Sequence, residues 1–219
     1  MTPAVRRFDA VLFDLDGTLL DSIELILASY RHTLARHGLP PPDDAVVLES
    51  LGTPLEVGLS RWAADPSALA SMIETYTAHN LAMHDAMVRP YPGMCELVRD
   101  LRATGHKLAL VTSKRRPGTE RGLAALGLEG AFDVLVCAGD TARAKPHPDP
   151  VHRALEQLGV PHARAVFVGD STHDMEAGRA AGVRTAAVLW GPFSREALER
   201  SSPTAIARDA DELRRILFA

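Results

Sequence analysis

The stretch Ala10-Val11-Leu12-Phe13-Asp14-Leu15-Asp16-Gly17-Thr18 joins a short apolar run to an acidic turn. Four consecutive apolar positions are typical of a buried strand in a parallel sheet. Asp14 and Asp16 follow that run two positions apart, so their side chains are expected to point the same way. Two carboxylates at one buried place repel each other unless one is protonated or a cation is bound. Ligands bind at the carboxyl ends of strands in doubly wound sheets, so this turn predicts an active site.

The rest of the chain predicts an α/β fold that is interrupted by a helical insert. Strand-like runs alternate with amphipathic helices after Pro90, which indicates a parallel sheet with helices on both faces. Beyond the first strand, the strands are expected at 107–112, 134–137, 166–169 and 185–189, with helices at 94–104, 119–126, 150–158 and 174–181. Before that point only helical patterns occur, at 23–37, 44–51, 55–64 and 66–87.

Composition excludes several classes of protein. The 219 residues are 46% hydrophobic, enough for one large α/β domain or for one that carries a smaller domain. A net charge of -4 without a basic stretch argues against nucleic acid as a partner. No apolar run approaches the roughly 18 residues that span a membrane. Cys95 and Cys137 lie far apart in apolar surroundings, so we expect buried free thiols and a cytoplasmic protein.

Further polar clusters follow the predicted strands. Thr112-Ser113-Lys114 comes directly after one strand, and Gly169-Asp170-Ser171-Thr172-His173-Asp174 follows another. Lys145 stands before the proline-rich turn 146–150. Carboxylates in this number need a cation, and oxygen ligands favour Mg²⁺. A hydroxyl, a lysine and Mg²⁺ are together what a phosphoryl group needs to neutralise its oxygens during transfer.

The motifs at 14–18, 112, 145 and 169–174, taken together, resemble those of the haloacid dehalogenase-like phosphohydrolases. The resemblance covers nearly the whole chain and implies a Rossmann-like core of residues 1–20 and 90–219 with a helical cap domain of residues 21–89. It implies that Asp14 is a nucleophile that forms an aspartyl-phosphate. Asp16 would protonate the leaving group and then activate water. Asp14, the main-chain carbonyl of Asp16 and Asp170 would hold Mg²⁺, with Asp174 as a further or outer ligand.

The same resemblance implies that four residues bind the phosphate, namely Thr112, Ser113 through its N–H, Lys145 and Gly17. Two residues of this site also have a simpler structural explanation. Asp174 could instead be the N-cap of the helix that follows it. Lys145 by itself could be a solvated loop lysine.

The resemblance also bears on the reaction. Asp16 favours ester or anhydride hydrolysis over dehalogenation, and a segment without lysine from Leu19 to His106 argues against Schiff-base chemistry. We therefore expect a phosphatase that acts on a small phosphorylated substrate, as a monomer or homodimer. The core motifs resemble phosphoglycolate phosphatases, whereas the stretches 76–85 and 189–191 resemble inorganic pyrophosphatases of the same branch. A member that binds phosphate without turnover is the alternative from another class, although Asp14 and Asp16 are both present.

Substrate choice is expected to depend on the cap. The loop Leu51-Gly52-Thr53-Pro54-Leu55 is expected to face the active site, and the crossings Leu19–Asp21 and Met87–Tyr91 are expected to act as hinges. Three arginines could supply additional positive charge, namely Arg31, Arg61 and Arg89. Four large side chains are expected to form the core of the cap, namely Trp62, Met72, Tyr76 and Met83.

Overall fold

A six-stranded parallel sheet forms the centre of the computed structural model, which describes residues 6–218. The strands of the chain are β1 (Ala10–Phe13), β2 (Leu20–Asp21), β3 (Arg89–Pro90), β4 (Lys107–Val111), β5 (Val134–Val136), β6 (Ala165–Gly169), β7 (Arg184–Val188) and β8 (Ala205–Ala207). The main sheet has the order β5-β4-β1-β6-β7-β8, and each neighbouring pair is parallel. The order reverses at β1, the first strand of the chain, so the site at its carboxyl end lies at a switch point of the topology.

Helices cover both faces of this sheet. The helices are α1 (Ile23–Arg36), α2 (Asp44–Glu49), α3 (Leu55–Ser60), α4 (Pro66–Met87), α5 (Met94–Ala103), α6 (Arg116–Leu126), α7 (Asp149–Leu158), α8 (Thr172–Ala180), α9 (Arg195–Arg200) and α10 (Ala210–Phe218). Successive side chains of β1 point to opposite faces of the sheet. Val11 packs in the apolar cluster that contains Leu97 of α5, and Leu12 packs in the cluster that contains Val151 of α7. The predicted Rossmann-like α/β fold is therefore confirmed.

The helices α1 to α4 lie together between β2 and β3 and share an apolar cluster of their own. Tyr30 is at its centre, with its ring centroid 5.3 Å from that of Tyr76 and 5.7 Å from that of Trp62. Met72 is buried in the same cluster, whereas Met83 is 39% exposed, so the prediction that Met83 belongs to this core is wrong.

The insert is joined to the core by two adjacent chain crossings. The two-residue strands β2 and β3 pair antiparallel, and the Tyr91 N–H donates to the Leu19 carbonyl at 3.1 Å. These short strands were not expected, because two residues carry no periodicity that a sequence can display. The division into a core of residues 1–20 and 90–219 and a cap of 21–89 stays a prediction, and residues 1–5 and 219 lie outside the described residues.

The end of the chain also departs from expectation, because β8, α9 and α10 were not predicted. β8 is a three-residue edge strand and only half-buried, so it lacks the apolar run that identifies the inner strands. The two cysteines are buried and free, as expected. Within the described range 6–218, no helix has the length and apolar character needed to cross a membrane.

Candidate active site

Asp14 lies at the carboxyl end of β1, in the middle of the sheet. The residue is only 5% exposed, and its N–H donates to the Val168 carbonyl of β6 at 2.9 Å. Parallel pairing of β1 with β4 on one side and β6 on the other brings the loops after all three strands to the same edge. The loop residues that the sequence singled out are therefore neighbours of Asp14.

Lys145 is the cationic partner of this carboxylate. Its ammonium donates to Oδ1 of Asp14 at 3.0 Å, to Oδ1 of Asp174 at 2.6 Å and to the Val111 carbonyl at 3.2 Å. Three N–H donors thus have three acceptors, and the side chain is 1% exposed, which excludes the alternative of a solvated lysine. Burial alone would lower the pKa of Lys145, but the two carboxylates outweigh it and raise the pKa above its usual value, so the side chain stays charged.

Asp14, Asp170 and Asp174 form a cluster of buried carboxylates. Each contributes an oxygen such that all three oxygens lie within 4.8 Å of one another. Asp170 also accepts a hydrogen bond from Oγ1 of Thr18 at 2.7 Å. Oδ2 of Asp174 accepts from the N–H and the hydroxyl of Ser171, at 3.1 and 2.6 Å.

The N-cap of α8 is Ser171, and Asp174 is the third helical residue, where its side chain completes a capping box. The interpretation of Asp174 as the N-cap is therefore wrong by three positions. The helix begins earlier than expected because the Ser171 hydroxyl already accepts a hydrogen bond from the Asp174 N–H.

The cluster carries more negative charge than Lys145 neutralises. Burial, together with the neighbouring carboxylates, raises the pKa of Asp14 to about 7 and that of Asp170 well above its usual value. Hard carboxylate oxygens packed this closely are the donor set that Mg²⁺ prefers. The backbone makes room for them, since a methyl carbon at Gly17 would lie 2.3 Å, and one at Gly191 2.4 Å, from atoms of Asp170. The residues present therefore fit a bound divalent cation.

The carboxylate of Asp16 is not part of this cluster. Its Oδ1 accepts from the Ser22 hydroxyl at 2.5 Å and from the Lys114 ammonium at 2.8 Å. Ser22 is at the N-cap position of α1, but its side chain binds Asp16 rather than the helix N–H groups. Asp14 and Asp16 both line the same cavity, although their side chains have different partners. Ligation of a metal by the main-chain carbonyl of Asp16 stays a prediction.

The residues expected to bind phosphate lie around the same point. Thr112 is buried at the end of β4, and its hydroxyl accepts from the Lys114 N–H at 3.2 Å. The Ser113 hydroxyl donates to the Gly52 carbonyl of the insert at 2.6 Å. The Gly17 N–H donates to the Leu20 carbonyl at 2.9 Å, and the residue has a φ of +82°, where glycine is favoured. The phosphate-binding roles of these residues stay predictions.

A cavity of about 430 Å³ separates these strand ends from the helical insert. The loop Leu51 to Leu55 lies along it, as expected, with Ile23, Ile26, Tyr30, Ser50, Tyr76, Thr77, Asn80 and Leu81 of the helices nearby. The three arginines suggested as extra charge do not line it. Arg31 pairs with Glu24 and Asp44, and Arg61 and Arg89 donate to the main-chain carbonyls of Val46 and Val88.

Comparison with known proteins identifies the family. Residues 11–188 match the family described as haloacid dehalogenase-like hydrolase. The chain belongs to this family. Among its relatives, Pyrophosphatase PpaX of Halalkalibacterium halodurans is 38% identical over 94% of this chain and 95% of that one. Pyrophosphatase PpaX of Bacillus cereus is 40% identical over 90% of each chain. A predicted phosphoglycolate phosphatase of Haemophilus somnus is similar in structure, with a TM-score of 0.90, 25% identity, and coverage of 97% of this chain and 99% of that one.

Two ion pairs of this haloacid dehalogenase-like hydrolase are not predictable from local sequence patterns. Lys114 binds Asp16, and its position two residues after Thr112 is the one local signal of that contact. Asp85 near the end of α4 pairs with Arg121 of α6 and so links the insert to the core. No local pattern reveals that pair, because its partners are 36 residues apart.

Proposed function

We propose that this haloacid dehalogenase-like hydrolase is a Mg²⁺-dependent phosphohydrolase of small phosphorylated metabolites that acts through an aspartyl-phosphate on Asp14. One observation carries the proposal. A buried carboxylate lies beside a buried, fully hydrogen-bonded lysine and two further carboxylates, at the floor of a 430 Å³ cavity. A nucleophile, a cationic phosphate partner and a cation-binding group are thereby combined in one place.

In the first half-reaction, an oxygen of Asp14 attacks phosphorus and the bond to the leaving-group oxygen breaks. Lys145 fixes the Asp14 carboxylate through the 3.0 Å contact and offers positive charge to the phosphoryl oxygens. Thr112 and the N–H of Ser113 are proposed to bind the remaining oxygens, since both residues line the cavity. Gly17 contributes mainly by leaving space for Asp170.

Asp16 is proposed as the general acid and base. Its carboxylate borders the cavity but lies apart from the three clustered carboxylates, so it is available to the leaving group. It donates a proton to the leaving oxygen, then takes one from the water that attacks the phosphorus of the aspartyl-phosphate. Phosphate leaves, and Asp14 regains its carboxylate. Ser22 and Lys114 hold the Asp16 side chain for both steps.

Asp14, Asp170 and the carbonyl of Asp16 are proposed to hold Mg²⁺. When bound, Mg²⁺ would neutralise negative charge on the phosphoryl oxygens and orient them. Asp174 is a positioning residue in this scheme, because its Oδ1 already accepts from Lys145 and its Oδ2 from Ser171. It orients the lysine and leaves direct ligation to the other two carboxylates.

Two substrates are supported by different observations. The core motifs and the similarity to a predicted phosphoglycolate phosphatase support phosphoglycolate. The printed names of relatives at 38 and 40% identity support inorganic pyrophosphate. Both molecules carry a second anionic group beyond the transferred phosphoryl group.

The test is hydrolysis of a panel of phosphates with and without Mg²⁺, comprising p-nitrophenyl phosphate, phosphoglycolate, pyrophosphate, sugar phosphates and nucleotides. We expect Mg²⁺-dependent turnover that EDTA abolishes and that Asp14→Asn, a variant of nearly equal volume, reduces to background. Turnover that survives in Asp14→Asn or in EDTA would overturn the proposal. Phosphate binding without turnover of any of these compounds would support the non-catalytic alternative instead.

A further inference from the structure

Lys114 lies where the catalytic centre meets the cavity of the insert. It is the second residue after Thr112, and its ammonium donates to Oδ1 of Asp16 at 2.8 Å. The side chain is 13% exposed and lines the cavity. Because it contacts Asp16, the proposed general acid, it lies on the side that a leaving group would occupy. Nothing in the mechanism above uses it except to hold Asp16.

The two lysines near the site differ in how many of their donors are used. An ammonium has three N–H donors. Those of Lys145 are directed to three protein acceptors, whereas Lys114 has a single acceptor, Asp16, among residues 6–218. Two donors of Lys114 therefore remain for whatever fills the cavity.

The remaining walls of the cavity offer an anion little other positive charge. Of the lining residues that the structure describes, those from the insert are all uncharged. Arg115 is paired with Glu56 and Arg116 with Asp140, and their side chains are 63 and 45% exposed, so water competes for their donors. Among the lining residues that the structure describes, Lys114 is the one cation whose side chain is largely buried and incompletely hydrogen-bonded.

We propose that Lys114 is a specificity-determining residue that binds an anionic group on the leaving-group side of the substrate, either a carboxylate or a second phosphate. This inference rests on the proposed phosphohydrolase function and names the class of substrate for that site. Because Lys114 is hydrogen-bonded to Asp16, an anion bound to Lys114 is held beside the general acid. Substrates with neutral leaving groups reach Asp16 without this contact and are turned over less efficiently.

The test compares substrates within each variant. The measured quantity is the ratio of kcat/KM for pyrophosphate, and separately for phosphoglycolate, to kcat/KM for ethyl phosphate, whose leaving group is neutral. Lys114→Met keeps the length of the side chain and removes its charge. Loss of a charge-assisted hydrogen bond should lower both ratios roughly 10- to 100-fold, chiefly through KM. Lys114→Arg should restore most of the ratio.

Arg116→Met is the matched control, because it removes a cation from the same cavity edge that is already paired with Asp140. Its ratios should stay near those of the wild type. A fall confined to pyrophosphate would assign the contact to a second phosphate, and one confined to phosphoglycolate would assign it to a carboxylate. Ratios that are unchanged in Lys114→Met, or that fall equally in Arg116→Met, would overturn the proposal.

If Lys114→Met turns over no substrate, ligand affinities are measured in place of kinetic constants. Isothermal titration with methylenediphosphonate and with methylphosphonate, both at saturating Mg²⁺, then gives the same ratio without Asp16 chemistry. Equal loss of affinity for both compounds would refute the role of Lys114. Failure of the phosphohydrolase function itself is distinguishable, because it is seen as absence of Mg²⁺-dependent turnover in the wild type.

Discussion

Substituting Gly17 by alanine tests how the backbone makes room for the cation-binding carboxylates. The added methyl carbon would lie 2.3 Å from Oδ2 and 2.6 Å from Cγ of Asp170, so the carboxylate has to move. It cannot simply retreat, because Gly191 lies against it from another direction, with a methyl position 2.4 Å from Cβ of Asp170. Movement breaks the 2.7 Å hydrogen bond from the Thr18 hydroxyl, and leaving a buried hydrogen-bonding group unsatisfied costs about 1–3 kcal/mol.

Gly130 provides the control for backbone strain. It has a φ of +71°, comparable to the +82° of Gly17, and a methyl group there would meet nothing within 4 Å. A positive φ costs alanine about 1–2 kcal/mol, and the reduced freedom of the unfolded chain returns about 0.4–1 kcal/mol. We therefore expect Gly130→Ala to destabilise by about 1 kcal/mol and Gly17→Ala by about 3 kcal/mol, the difference being the displacement of Asp170.

The assay is urea unfolding of both variants with EDTA and with Mg²⁺. Displacement of Asp170 should weaken Mg²⁺ binding by about 10–100-fold in Gly17→Ala, as disturbance around metal ligands generally does, and leave Gly130→Ala with the wild-type response. Equal unfolding free energies and equal Mg²⁺ responses in the two variants would refute the reasoning.

Three other results are expected. Asp16→Ala should keep Mg²⁺ binding and lose turnover by about 10²–10⁴-fold, as measured by titration and steady-state rates; wild-type rates would remove its role as acid and base. Without metal, the free energy of unfolding should fall as pH rises from 5 to 7. Burial raises the pKa of Asp14 to about 7, so over this pH range the folded protein keeps a proton on Asp14 that the unfolded chain has released. Asp14→Asn should reduce that fall in urea titrations without removing it, because burial also raises the pKa of Asp170; an unchanged slope would contradict the assignment to Asp14. The crossings at β2 and β3 should act as hinges about which the insert closes over the core. X-ray scattering should then report a smaller radius of gyration with Mg²⁺ and beryllofluoride than without them, and identical curves would count against closure.

The sheet and its site were predictable because each depends on local sequence. The inner strands are continuous apolar runs, and the carboxylates and hydroxyls of the site come shortly after their ends, so the parallel topology brings these groups together. Lys145 instead reaches the site from the loop between β5 and α7. The burial of Lys145 was not predictable, since its three acceptors come from three different segments of the chain. The same holds for Lys114 and Asp16, which are 98 residues apart.

The strand β8 illustrates a different limit. Three residues at the edge of a sheet gain their conformation from pairing with β7, not from any pattern of their own. A local hydrogen bond also makes α8 begin earlier than expected, because the Ser171 hydroxyl rather than Asp174 provides the N-cap. Interactions over long distances in the chain, and competition between adjacent polar residues, are thus what the sequence left open.

The aspartyl-phosphate itself offers the most direct measurement. The enzyme is mixed with substrate and Mg²⁺, quenched in acid within milliseconds, digested and analysed by mass spectrometry, with Asp16→Ala used to slow breakdown of the intermediate. We predict a phosphoryl group on Asp14 and its absence from Asp14→Asn. A phosphoryl group on another residue, or none during active turnover, would contradict it.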